Sequence, residues 1–214
     1  MTHKSSRPAP PRRSTRRSLG RARNEVRIIG GKWRGRRIRF AAMEAIRPTP
    51  DRVRETLFNW LQNVIAGSRC LDLFAGSGAL GLEALSRGAR HVVFVDRERA
   101  VIGQLQETLS KLGAHGAELW PLDARRYLDG EAEPFDVVFL DPPFATEYLP
   151  GLCRALEEHG WLAARAYIYI EQPSHAGAPV LPASWILLKS GRAGEVGYHL
   201  AQRADGSPAG GDTR

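Results

Sequence analysis

The chain has 214 residues, of which 43% are apolar and 25% charged, and a formal charge of +8. That size and balance suit one soluble domain with a full core plus appendages, and no apolar run of about 18 residues is present to cross a bilayer. Cys70 and Cys153 stand far apart without a CxxC pair, and the polar, Arg-rich start lacks a secretory h-region; we expect reduced thiols, no metal and a cytoplasmic protein.

The charge is concentrated at one end. Residues 1–39 carry 14 Lys and Arg against one acid, Glu25, whereas the remainder holds 17 against 22. Such asymmetry suits a partner of dense negative charge, foremost a nucleic acid. Residues 1–24, rich in Pro, Ser and Arg, are expected to be a disordered tail. Residues 25–46 are read as a β-hairpin extension, VRIIG and RRIRF around Gly30-Gly31-Lys32-Trp33-Arg34-Gly35. Its predicted exposed positions are Arg27, Lys32, Arg34, Arg36, Arg37 and Arg39, with Trp33 among them, a ribbon that could grip phosphates and stack on a base.

A helix follows from Asp51, expected to cap it, and carries Val53, Leu57, Trp60, Leu61 and Val64 as one apolar stripe. Arg47, Thr49 and Arg52 at its entrance are candidates for ligand contact, because helix amino ends favour anions. From Arg69 strands and helices alternate. Strands are predicted over Cys70–Phe74, His91–Val95, Ala117–Leu122, Phe135–Leu140 and Tyr167–Ile170, and a closing antiparallel pair over Trp185–Leu188 and Val196–Ala201. The pattern is a doubly wound, mainly parallel α/β sheet over residues 47–202, with a polar tail at 203–214.

Two motifs carry chemistry. Asp72 precedes a turn, Phe74-Ala75-Gly76-Ser77-Gly78, that continues to Gly81. GxGxxG alone would fit a dinucleotide fold, but Asp96, Asp123 and Asp141 close the next three strands. Four acids at consecutive strand ends would repel two phosphates; they suit a ligand with an ammonium, a sulfonium, a ribose diol and an adenine amine, which is S-adenosylmethionine. Arg97 and Ala124 adjoin two of these acids and join the predicted cofactor-binding set. The second motif, Asp141-Pro142-Pro143-Phe144, ends a continuous apolar strand, at the sheet edge where ligands bind. A carboxylate and a rigid carbonyl there can draw an exocyclic amine toward tetrahedral geometry, and Phe144 can stack on an extruded base.

With RIIGGKWRGR at 27–36, RPTPDRVRETLFNWL at 47–61, LDLFAGSGALGLEALSRGA at 71–89 and DPPF at 141–144, the chain resembles the bacterial 16S ribosomal RNA guanine-N2 methyltransferases that act on guanine 966. The resemblance implies a class I methyltransferase fold with a seven-stranded sheet, S-adenosylmethionine as donor, guanine N2 as acceptor, and 16S RNA or a small-subunit assembly particle as partner to a monomer. It places the donor on Asp72 and the Phe74–Gly78 loop, the ribose on Asp96 and the adenine near Asp123. Two other readings stay open: a DNA adenine-N6 methyltransferase, and an RNA-binding assembly factor without catalysis.

Overall fold

The computed structural model describes residues 25–40, 49–143 and 148–204. Arg47, Phe144, the 1–24 tail and most of the 203–214 tail lie outside these. The hairpin is formed by β1 (Glu25–Arg27) and β2 (Arg37–Arg39), antiparallel with Val26 opposite Ile38. A 3-10 turn at Gly31–Trp33 connects them. Gly31 has φ +73°, and a Cβ there would lie 1.8 Å from the Ser86 carbonyl oxygen, so the turn sits flush on the body of the protein.

The body alternates strand and helix: α1 (Asp51–Trp60), β3 (Arg69–Asp72), α2 (Ala79–Ser86), β4 (His91–Val95), α3 (Arg99–Leu112), β5 (Ala117–Trp120), α4 (Ala124–Leu128), β6 (Phe135–Leu140), α5 (Leu149–Glu158), β7 (Leu162–Pro173), β8 (Trp185–Ala193) and β9 (Val196–Arg203). The seven-stranded sheet has the order β5-β4-β3-β6-β7-β9-β8. Its first five strands are parallel, and β9 and β8 add antiparallel at one edge. The apolar run of β6 reflects cover on both faces: Val137 and Phe139 join α1, α2 and α3 in one core, Val138 and Leu140 join α4 and α5 in the other.

Three local expectations are corrected. The N-cap of α1 is Pro50, not Asp51; the Asp51 carboxylate instead accepts from Arg54 (2.6 Å) and Arg27 (3.3 Å). The strand expected over Cys70–Phe74 stops at Asp72, because the chain turns there into the glycine loop. Strand β7 starts at Leu162 rather than Tyr167, with a register irregularity opposite Phe135–Val137 and Arg165 at φ +63°.

Candidate active site

Helix α2 follows β3 through the glycine loop, and the join builds one end of the candidate site. Gly76 and Gly78 take φ +49° and +73°, and a Cβ on Gly78 would lie 2.3 Å from Leu105. Gly81 backs onto the Phe94 ring, 2.2 Å from where its Cβ would sit, so α2 lies tight on β4. Ala75 and Ser77 are buried, and the Ala75 N–H ties the loop to the Val95 carbonyl (2.9 Å).

Asp72, 2% exposed, accepts a hydrogen bond from the Gly81 N–H through Oδ2 (3.0 Å). Burial pushes its carboxyl up to about 7, against the pull of that N–H, and the Asp96 charge adds to the rise. Asp96 is held from both sides: Oδ2 accepts from the Gly76 N–H and Oδ1 from the Glu98 N–H, each at 2.9 Å. Asp123 caps α4, accepting from the Arg125 N–H (3.0 Å). Its capping role and a role toward a ligand coexist, since it stays exposed. Ala124 is buried behind it, and exposed Arg97 pairs with Glu98 (3.2 Å).

Asp141 and Pro142 are half-buried and Pro143 is exposed. Asp72 lies opposite Phe139 in the β3–β6 register, so Asp141 emerges two residues beyond it on the neighbouring strand. Burial raises the Asp141 carboxyl well above the ordinary carboxylate range, and the charges of Glu171 and Asp72 raise it further. Sequence reasoning noted Glu171 only as a strand end. A carboxylate closing an apolar run, as at Asp141, was the available signal.

The residues expected to meet a polymer divide. Arg27, Lys32, Arg34, Arg36, Arg37, Arg39 and Arg52 are exposed. Arg37 and Arg39 pair with Glu25, and Arg27 with Asp51; Arg34, Arg36 and Arg52 have no ion pair among the described residues. Trp33 does not stack outward. It is 7% exposed, packed in the core against α2, with its backbone N–H donating to Ser86 Oγ (2.9 Å). Thr49 is also withdrawn: it is buried and its hydroxyl donates to Glu171 Oε1 (2.7 Å).

The hairpin is seated by a buried charge network that the sequence pattern did not flag. Glu83 is fully buried and accepts from the Ile29 N–H (2.8 Å), the Gly30 N–H (2.8 Å) and Arg87 Nε (2.6 Å). Arg54, also fully buried, lies 3.6 Å from Glu83 and donates to the carbonyls of Thr49 (3.2 Å) and Arg27 (2.9 Å). Ser86 Oγ donates to the Gly30 carbonyl (2.6 Å).

A buried carboxyl held up near neutrality, beside a glycine loop with space for close approach, is one that a cation stabilises. That fits the ammonium and sulfonium of S-adenosylmethionine, and two further acids, Asp96 after β4 and Asp123 at the start of α4, stand on the same edge. With the β5-β4-β3-β6-β7-β9-β8 sheet, these features define a class I methyltransferase that depends on S-adenosylmethionine. The chain belongs to the family described as "Conserved hypothetical protein 95", whose model matches residues 26–202. It is similar to the "Ribosomal RNA small subunit methyltransferase D" of Escherichia coli K12, 48% identical over 84% of this chain and 90% of the relative. The Haemophilus influenzae protein of the same name is 45% identical over 85% of this chain and 95% of its own length. A solved Escherichia coli structure, 46% identical, matches with a TM-score of 0.78 over 84% of this chain and 98% of that one.

Proposed function

We propose that this enzyme methylates the exocyclic N2 of a 966-type guanine in 16S ribosomal RNA, acting on the RNA or on a small-subunit particle. The observation that carries the reading is the placement of Asp141 and Pro142 at the end of β6, next to the strand end that holds Asp72. When bound, S-adenosylmethionine supplies an electrophilic methyl on a sulfonium. Asp72 faces its cationic end, the Phe74–Gly78 loop lets the backbone approach, Asp96 takes the ribose hydroxyls and Asp123 the adenine side, with Arg97 and Ala124 beside them.

The chain's own work is to orient the acceptor. The amine lone pair is delocalised into the guanine ring, so the nitrogen is a weak nucleophile. The Asp141 carboxylate accepts one N–H and the Pro142 carbonyl the other, and the nitrogen turns toward tetrahedral geometry. Pro142 and Pro143 hold φ near −65°, which keeps that carbonyl in place before the base arrives. Phe144 is assigned the stacking role by its position after the prolines, on a base taken out of its stack. Lys32, Arg34, Arg36 and Arg52 grip phosphates, with Arg27, Arg37 and Arg39 available because exposed ion pairs are worth little against a polyanion.

The test is to incubate the protein with labelled donor and unmodified small-subunit RNA or particles, then to map the modified nucleotide. We expect one labelled guanine carrying N2-methyl. Label on adenine in DNA, or no transfer to either polymer, would overturn the reading.

A further inference from the structure

Beside the end of β6 the sheet holds a fifth acid, Glu171 of β7, that none of the roles above uses. Leu140 of β6 lies opposite Ile170 of β7 in parallel register, so Asp141, just past the end of β6, stands beside Glu171, which is still inside β7 and paired with Tyr198 of β9. Phe139 pairs with Asp72 on one side and Tyr169 on the other. Strand alternation therefore puts Asp72, Asp141 and Glu171 on one face of the sheet, the face covered by α1, α2 and α3.

Glu171 is held firmly. It is 5% exposed, and its Oε1 accepts from both the Thr49 hydroxyl (2.7 Å) and the Tyr169 hydroxyl (2.8 Å). Among the described residues no donor reaches Oε2 and no cation pairs with the group. The charged and titratable groups around it are Asp141 from β6, Tyr169 on its own strand and Tyr198, its register partner on β9, with Asp72 one strand further, beyond Asp141. A carboxylate buried among acids and phenols costs stability that its two hydroxyl donors offset only in part. Thr49 comes from the entrance to α1, 122 residues away in sequence, so the anchor is built from two distant segments.

We propose that Glu171 is a positioning residue for the transfer, acting through Asp141: anchored by Thr49 and Tyr169, it shares with Asp141 the proton that the acceptor nitrogen sheds. This rests on the methyl-transfer reading above. As the N–C bond forms and the C–S bond breaks, the C–S electron pair stays on sulfur and the nitrogen must release one proton. The Asp141 carboxylate, already accepting that N–H, receives the proton; Glu171 then holds it with Asp141 until solvent takes it. The Glu171 charge contributes to the elevated proton affinity of Asp141, and burial lifts Glu171 itself, opposed by its two hydroxyl donors.

The experiment is single-turnover methyl transfer to unmodified small-subunit particles from about pH 5 to about pH 9, with wild type, Glu171→Gln and Glu171→Asp. The glutamine keeps a carbonyl oxygen for both hydroxyls, and we expect unchanged donor affinity and a melting temperature no lower than wild type, with transfer slowed roughly tenfold or more. The acidic limb of the pH profile should move to lower pH, because Asp141 has lost a like charge and ionises more readily. Glu171→Asp, which keeps the charge, should return the limb toward its wild-type place. An active wild type whose glutamine variant keeps both rate and limb overturns the role of Glu171 alone. So does a slow variant with lost donor binding and a lowered melting temperature, which marks a structural role. A wild type that transfers nothing to these particles overturns the underlying reading.

Discussion

Asp72 gives the sharpest quantitative expectation. Its carboxyl titrates at about 7 because it is buried with a single N–H partner and with Asp96 nearby. A cationic donor needs the carboxylate, so below that value binding must first expel a proton. At pH 6 about a tenth of the free protein has Asp72 ionised, and at pH 7.5 about three quarters. The donor dissociation constant should therefore be roughly eightfold weaker at pH 6 than at pH 7.5, about 1.3 kcal/mol. Calorimetry in two buffers of different ionisation enthalpy reads both the affinity and the proton release, which should approach one per donor at pH 6. Asp72→Asn should bind more weakly and lose this slope. The reasoning would be refuted by wild-type affinity that stays level from pH 6 to 7.5, or by an asparagine variant that keeps the slope.

The remaining expectations concern stability, turnover and the polymer. Asp72 holds its proton in the folded chain below about 7 but in the unfolded chain only below about 3.9. The donor-free protein should thus lose stability as pH rises through that window, a decline that urea titration should find reduced in Asp72→Asn. Asp141→Ala should leave donor affinity nearly intact and slow transfer by about 2.7–4 kcal/mol in barrier; near wild-type single-turnover rates would remove Asp141 from the mechanism. Glu83→Ala removes the fully buried carboxylate beside Arg54 and Arg87, leaving Arg54 only its half-exposed partner Asp51, and frees two N–H groups of the hairpin, so urea unfolding should show a loss of about 3–5 kcal/mol, and a loss under about 1 kcal/mol would mean the network is dispensable. Neutralising Arg34 and Arg36 together should weaken RNA binding and lower its salt slope by roughly 0.7–0.9 per lost phosphate contact; an unchanged slope would move the grip elsewhere.

Much of this was legible before any coordinates. Asp72, Asp96 and Asp141 close apolar strands, and the parallel sheet brings such ends to one edge whatever the loops do; the strand expected to run to Leu122 before Asp123 stops at Trp120. What stayed hidden depends on partners distant in sequence. Trp33, set among arginines, reads as an exposed stacking ring, but Ser86, 53 residues on, takes its backbone N–H and the indole fills the seam with α2. Thr49 reads as a ligand contact at a helix entrance until Glu171 claims its hydroxyl. Arg54 falls on a helix dense in charge, where pattern alone suggests solvent, and Glu83 is the single charge of an otherwise apolar helix; only their mutual burial marks them as structural. The boundary of β3 failed for a local reason: Leu73 and Phe74 continue the apolar run after the backbone has begun its turn.

Helix α2 has only eight residues, yet it is fastened at both ends to different tasks. Gly81 reaches into the donor end through Asp72, while Glu83 and Ser86 carry the hairpin. Gly81 and Ser86 are five residues apart, about 7.5 Å along a helix axis. That short rigid span acts as a ruler between the basic hairpin and the buried Asp72 carboxyl. Lengthening α2 by one residue would rotate Ser86 by roughly 100° about the axis and shift the basic hairpin relative to Asp72, even with every side chain of the candidate site retained.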